Sequence, residues 1–250
     1  MELSGSSALV TGAASGLGAA TAHALAERGV EVLGVDLVST GSTTGGSDPR
    51  IRCVTADVTD EEQVAAALAR LTSPLRLVGN CAGIAPAVRL LSSKGVHDLA
   101  TFRKTIDVNL VGTFNVLRLA AEVMAANEPL ADGARGLIVN TASVAAYEGQ
   151  IGQVAYAASK GAIVGMTLPA ARDLARYGIR VNTIAPGIVL TPLLMALGET
   201  VVESLSASVP FPPRLARPDE YAQLVLMLAD HDYLNGETIR MDGALRMAPQ

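Results

Sequence analysis

The tightest constraint on this chain is the run Thr11-Gly12-Ala13-Ala14-Ser15-Gly16-Leu17-Gly18. It lies between a short apolar stretch, SSALVT at 6–11, and an Ala-rich stretch reaching about Gly29. A buried strand that passes through glycines directly into a helix is the opening of a βα unit. Gly12 permits the tight turn, Gly16 lets the backbone approach a pyrophosphate, and Gly18 allows the helix to pack closely on the strand. The N–H groups of Ser15, Gly16 and Leu17 then point at phosphate oxygens from a helix N-terminus. The spacing is GxxxGxG rather than the commoner GxGxxG.

A second apolar run, VEVLGVD at 30–36, ends on Asp36, eighteen residues after Gly18. A carboxylate there accepts hydrogen bonds from adenosine ribose hydroxyls and repels a 2′-phosphate. Ala13, Ala14 and Leu37 supply no compensating positive charge. The expected cofactor is therefore NAD rather than NADP.

The same alternation continues along the chain. IRCVTAD (51–57), LRLVGN (75–80), GLIVNTAS (136–143), IRVNTIAP (179–186) and ETIRMDG (237–243) read as further strands. Helical patterns fall at about 59–71, 99–127, 153–177 and 218–229, the first opened by a cap at Thr59-Asp60-Glu61-Glu62. Gly, Ser and Thr crowd 39–47, which reads as an exposed mobile loop, and a polar connection spans Ser92–His97. Strands alternating with helices predict an α/β chain: one Rossmann domain over 1–250, a doubly wound parallel sheet of about seven strands with helices on both faces. No linker or repeat divides it.

Composition narrows the function. The net charge of −5 argues against a nucleic-acid partner, which calls for a basic face. Cys53 and Cys81 have no metal-ligand spacing and read as reduced, semi-buried thiols; His23, His97 and His231 are scattered, so no metal is expected. No signal peptide opens the sequence, and the apolar runs read as too short to cross a membrane, so a cytoplasmic protein is expected.

The chemistry is carried by Ser143, Tyr156 and Lys160. Residues four apart on a helix share a face, so Tyr156 and Lys160 point at one spot. Ser143 ends an apolar strand at the sheet's carboxyl edge, where ligands of parallel α/β sheets bind. Phenol, ammonium and hydroxyl together make an acid/base device without histidine or metal. The ammonium and an oxidised nicotinamide are expected to draw the phenol down from about 10 towards neutrality, a change worth roughly 4 kcal/mol.

With these residues assembled, the chain resembles the short-chain dehydrogenase/reductase family along essentially its full length. TGAASGLG, NCAG at 80–83, Asn109 in DVNLVGTFN, Ser143, YAASK and Pro186-Gly187 fall in that family's order. Longer strings, including NTASVAAYEGQIGQVAYAASKG, VPFPPRL and NGETIRMDGALRM, look like its branch of type II (short-chain) 3-hydroxyacyl-CoA and type 10 17β-hydroxysteroid dehydrogenases. The resemblance implies catalysis by Ser143, Tyr156 and Lys160, with Asn109 kinking its helix and continuing a proton path. It implies that Asp57 and Val58 hold the adenine. Cys81, Ala82 and Gly83 would run along the cofactor, Val189 and Thr191 would meet its nicotinamide end, and Tyr156 and Lys160 would contact it. Gln150 would join Ser143 and Tyr156 on the substrate, an acyl-CoA or a hydrophobic alcohol or ketone. It also implies a homotetramer built partly through 99–127, 153–177 and the C-terminal segment. Residues 191–213 form the candidate lid, with Leu193, Leu194, Met195, Leu197 and Phe211 either covering an apolar substrate or joining the core. Two alternatives stand beside this reading. One is a 3-oxoacyl-carrier-protein reductase or another short-chain alcohol dehydrogenase; Asp36 disfavours the reductase, which usually prefers NADPH. The other is a cofactor-binding scaffold subunit.

Overall fold

The computed structural model describes residues 1–38, 48–93, 95–195 and 198–249. The expected loop at 39–47 and the lid candidate Leu197 lie outside the described residues, as does the side chain of Leu193. Nine strands occur in chain order: β1 (Ser7–Thr11), β2 (Glu31–Asp36), β3 (Ile51–Thr55), β4 (Leu75–Asn80), β5 (Leu91–Ser92), β6 (Gly95–Val96), β7 (Gly136–Thr141), β8 (Ile179–Pro186) and β9 (Thr238–Met241). Seven of them form one parallel sheet in the order β3-β2-β1-β4-β7-β8-β9, while β5 and β6 pair as a small antiparallel ribbon. That ribbon replaces part of the polar connection expected at Ser92–His97.

The central strands are apolar without alternation because both sheet faces are covered. Every residue of β1, β4, β7 and β8 is buried. On one face, α2 (Glu61–Leu68), α4 (Gly112–Ala125) and α6 (Val154–Ala175) enclose a core built on Leu9, Val78, Ile138 and Val181. On the other, α1 (Gly16–Glu27) and α9 (Pro218–Asp230) cover Val10, Leu77, Val139 and Ile184. The remaining helices are α3 (Leu99–Ile106), α5 (Ala145–Glu148), α7 (Pro192–Met195) and α8 (Glu199–Ala207). This is the doubly wound Rossmann architecture.

Strand order reverses between β1 and β4, whose carboxyl ends flank the crevice where such sheets bind ligands. The glycine turn is required at that point. Gly12 has φ +65°, and a Cβ on it would lie 2.9 Å from the Ala82 nitrogen. A Cβ on Gly18 would drive into the Gly12 carbonyl, so α1 can approach β1 only with glycine there.

The long helix expected at 99–127 is not uniform: α3 and α4 are joined by a π turn, Asp107–Val111. One inserted residue rotates the face that follows and places Asn109 in the interior. Leu99–Ala125 is also long and apolar enough, by length and composition, to cross a membrane, where the sequence reading expects no such stretch. Half of its apolar window is buried within the protein. The apolar segment after Pro186 contains α7 and α8 rather than extended chain. Cys81 is half-buried as expected, whereas Cys53 is exposed because β3 is an edge strand.

Candidate active site

A groove of about 530 Å³ runs across the carboxyl ends of β1, β2 and β4. It is lined at one end by Asp36, Asp57 and Val58, in the middle by Gly12, Ser15, Gly16, Leu17 and Gly18, and at the other end by Cys81, Ala82, Gly83, Tyr156 and Thr191. Of the expected cofactor contacts, Lys160 and Val189 are not among its lining residues. Val189 is buried beneath and bridges to Ala216, and its carbonyl accepts the Thr191 N–H at 2.8 Å. It therefore supports the groove's Thr191 instead of facing the groove.

Backbone and side chain share the work of shaping this groove. Ser15 caps α1 with an extended backbone and no side-chain bond, leaving the first helical N–H groups directed into the groove. Ala14 N–H donates to the Asp36 carboxylate at 2.9 Å and fixes it at the rim. Asp57 accepts from the Thr59 N–H and hydroxyl at 2.9 and 2.7 Å through one oxygen. The Val58 carbonyl accepts from Asn115 of α4 at 2.9 Å, and a Cβ on Gly112 would strike the Val58 side chain at 2.6 Å. Thr11, the last residue of β1, accepts from the N–H groups of both Cys81 and Ala82 at 3.1 Å. These features fit a dinucleotide: amides at a helix end for the phosphates, and a rim carboxylate for a ribose.

Ser143, Tyr156 and Lys160 come together at the far end. The strand ends at Thr141, so Ser143 sits two residues beyond it, on the turn into α5, and not on the strand as its apolar run suggests. Its hydroxyl accepts the Ala145 N–H at 3.1 Å and stands near enough to the Tyr156 phenol to favour its ionised form. The Lys160 ammonium lies 5.7 Å from the Tyr156 ring centre and donates to the Thr141 carbonyl at 2.7 Å. It is buried, 5% exposed. Asn109 accepts from the Ile84 N–H at 2.8 Å and donates to the Ile84 carbonyl at 2.9 Å, locking the turn after Gly83. It also donates at 3.0 Å to Ser159, whose hydroxyl reaches the Tyr156 carbonyl at 2.7 Å.

Ser159, Thr11, Thr141 and Ala14 are site-shaping residues that motif reading passes over. Ser159 and Thr11 stand inside recognised strings, but their roles emerge only when strand and helix ends meet. Gln150, expected on the substrate, has its side-chain N–H₂ on the Ala248 carbonyl at 3.1 Å and its backbone N–H on Gln153 at 3.0 Å.

The expected fall of the phenol counts the charge of an oxidised nicotinamide as well as the ammonium, and the protein's own groups act the other way. Burial raises the Tyr156 phenol above its usual value, only partly opposed by the Ser143 hydrogen bond. Burial lowers the Lys160 ammonium to about 8. In the protein alone the phenol is therefore not acidified by its neighbour: the ammonium is spent on Thr141, and both groups pay for desolvation. The lid candidates are mostly outward: Met195 and Phe211 are exposed, Leu194 is half-buried, and no residue of α8 is buried. A second cavity, about 430 Å³ between α9 and residues 209–216, shares no lining residue with the groove and holds none of the three reactive side chains. Among the described residues no group of His, Cys, Asp and Glu could hold a metal.

A dinucleotide groove ending on a tyrosine, a buried lysine and a serine defines an oxidoreductase of the NAD(P)-dependent kind. The chain belongs to the short-chain dehydrogenase family, which it matches over residues 6–201. It is 54% identical over 248 residues to the 3-hydroxyacyl-CoA dehydrogenase type-2 of Drosophila melanogaster, covering 96% of this chain and 97% of that one. Against the Homo sapiens protein of the same name the identity is 52%, covering 97% and 95%. The crystal structure of 3-hydroxyacyl-CoA dehydrogenase type-2 from Mycobacterium avium superposes with a TM-score of 0.93 at 43% identity, covering 98% of each chain.

The buried ammonium generates a stability prediction. A lysine held at about 8 when folded and at about 10.4 when unfolded penalises the fold fully below pH 8. Between pH 8 and 10 the folded protein sheds that proton and the penalty fades. Lys160→Met is therefore expected to be at least as stable as the parent at pH 7. Its advantage should shrink as pH rises to 10, measured by urea unfolding at both pH values; an advantage that grows with pH would contradict this account.

Proposed function

We propose that this protein is an NAD-dependent 3-hydroxyacyl-CoA dehydrogenase, interconverting the 3-hydroxy and 3-oxo thioesters, with hydroxysteroids as further substrates. The observation that carries this reading is the grouping of Ser143, Tyr156 and Lys160 at the end of a dinucleotide groove, in a chain similar along nearly its whole length to enzymes of that name.

In the reducing direction Tyr156 is the acid. Its raised pKa keeps the phenol protonated at neutral pH, ready to donate to the ketone oxygen. Ser143 holds that oxygen by its hydroxyl and steadies the charge that develops on it. A nicotinamide cofactor held in the groove would supply the hydride for reduction of the carbonyl carbon and accept it in oxidation of the alcohol. In oxidation Tyr156 must act as base, so its phenolate has to be stabilised as the site fills and water leaves. Lys160 supplies one positive charge for this from beneath the groove, where it is held on the Thr141 carbonyl. Asn109 and Ser159 hold the first turn of α6 so that the phenol stays aimed, and Asn109 continues the proton path to solvent.

NAD is favoured over NADP because the Asp36 carboxylate, fixed by Ala14, stands where a 2′-phosphate would lie. Asp57 and Val58 hold the adenine, and Thr191 meets the nicotinamide end. The exposed side chains of Met195 on α7 and of Phe211 suit a lid over an acyl chain. Val111 and Phe114 beside the π turn and Leu168 on α6 are exposed apolar residues on helices that suit assembly as a homotetramer.

Three measurements test these points. With acetoacetyl-CoA and NADH, Tyr156→Phe is expected to bind NADH normally while kcat falls by about 10²- to 10⁴-fold. Turnover near the parental rate would overturn the catalytic assignment. Asp36→Ala should raise kcat/KM for NADPH relative to NADH by about tenfold or more, through loss of like-charge repulsion. An unchanged ratio would remove Asp36 as the selector. Sedimentation should give a particle four times the 25.7 kDa chain; a monomer or dimer would exclude the tetramer.

A further inference from the structure

The segment after β9 folds back over the loop that separates Ser143 from Tyr156. Glu148, the last residue of α5, is the hub of the contact. It accepts from Arg240 at 2.9 and 3.2 Å, pairs with Arg246 at 3.3 Å, and accepts the Met247 N–H at 3.1 Å. Asp242 binds the same two arginines, at 2.7 Å to Arg240 and 3.1 Å to Arg246. Arg240 also lies 5.3 Å from the centre of the Tyr147 ring. Beyond this cluster two further bonds continue the seam. Gln150 donates its side-chain N–H₂ to the Ala248 carbonyl at 3.1 Å, and Ile151 donates its N–H to the Pro249 carbonyl at 2.9 Å.

The other side of the loop faces the site. Gly152 accepts the Val88 N–H at 2.8 Å, which joins the loop to the strand of chain leaving the groove at Ile84. Gly149 packs so tightly that a Cβ on it would meet the Ala157 side chain at 2.9 Å, one residue from Tyr156. Residues 148–152 are thus a wall between the reacting side chains and the folded-back segment. Isolated exposed ion pairs contribute little. Here two acids and two guanidiniums share one network with Asp242 only 8% exposed, so the members hold one another in place.

We propose that residues 242–249 act as a strap, with Glu148 and Arg246 as positioning residues that hold this wall against the first turn of α6 and thereby set substrate affinity. The substrate concerned is the 3-oxoacyl thioester of the activity proposed above, on which this inference rests. Among the described residues no hydrogen bond or ion pair joins the strap to a residue lining the cofactor groove, so its loss should leave cofactor binding intact.

The test compares Arg246→Ala, Glu148→Gln and Arg246→Lys with the unaltered protein. Arg246 is largely exposed, so its alanine variant keeps the question open even if Glu148→Gln fails to fold. In Arg246→Ala, amides 147–152 should exchange hydrogen about tenfold faster. KM for acetoacetyl-CoA should rise about three- to tenfold with kcat held within about twofold. NADH affinity, read by fluorescence titration, should not change, and Arg246→Lys should recover part of the loss in KM. Unchanged exchange in these amides overturns the strap. So does faster exchange without a rise in KM, or a loss of NADH binding in step with the rest, which would make the cluster a general stabiliser. If the unaltered enzyme reduces no 3-oxoacyl thioester, the proposed activity fails, and the exchange data alone still decide whether the strap holds the wall.

Discussion

A single ammonium, sunk beneath the sheet's carboxyl edge and resting on one carbonyl, governs how the rest of the site must be built. Lys160 reaches Thr141 at 2.7 Å and, among the described residues, has no carboxylate in its hydrogen-bonding shell. A charge desolvated this far normally finds an acid or loses its proton. Its position needs β7 to end at Thr141, and it needs that residue to be held. The Thr141 hydroxyl donates to the Asn80 carbonyl at 2.6 Å and lies 2.7 Å from the phenol of Tyr221, which is fully buried on α9. Lysine and Tyr221 therefore grip the same residue from opposite faces of the sheet. The two layers of helices are coupled at the point where the chemistry occurs.

The π turn answers the same need from the other direction. Asn109 can reach the Ile84 backbone and Ser159 together only from inside the protein, and a regular helix through 107–111 would carry it elsewhere. Once the turn is in place, one helix serves both halves of the groove. Asn109 fixes the turn after Gly83 at the end that carries Tyr156, and Asn115, six residues on, fixes Val58 at the other. The distance between the two ends of the groove is then set by a rigid helix instead of by two independent loops.

These relations also explain which parts could be read in the residues alone. All seven strands of the main sheet were legible because each is a short apolar run bounded by glycine, proline or polar residues, and the glycine turn because its steric demand is local. Asp36, Tyr156 and Lys160 follow from spacing. The π turn leaves no mark in periodicity, since Asp107–Val111 fits an ordinary helix equally well. Ser143 was placed on a strand because its run stays apolar for two residues past the last ladder bond. Gln150 is placed on the substrate by resemblance alone, and nothing nearby in sequence announces its bond to Ala248, ninety-eight residues away. The rise of the phenol in the protein's own field is not legible, because charge proximity is visible in a motif whereas desolvation depends on everything packed around it.

The two edges of the sheet treat buried polarity in opposite ways. At the amino edge, Arg180 donates to the carbonyls of Leu228, Ala229, His231 and Leu234 at the end of α9, and Arg76 donates to Glu128, Ala134 and Arg135 carbonyls. Those guanidiniums satisfy helix ends and loops that would otherwise be orphaned. At the carboxyl edge the accounting is left short. Asn80 and Asn140 share one hydrogen bond at 3.0 Å, while the other polar atom of each amide is buried without a partner among the described residues. Lys160 sits beside them with one carbonyl. Buried polar atoms left in this state cost the fold about 1–3 kcal/mol each. Among the described residues the one other such atom is the Ser7 hydroxyl, at the amino end of β1. The two asparagines and the lysine sit together at the carboxyl ends of β4 and β7, where Asn80 leads directly into Cys81 of the groove. Polarity that stability alone would not place there is thus gathered at the edge that carries the site.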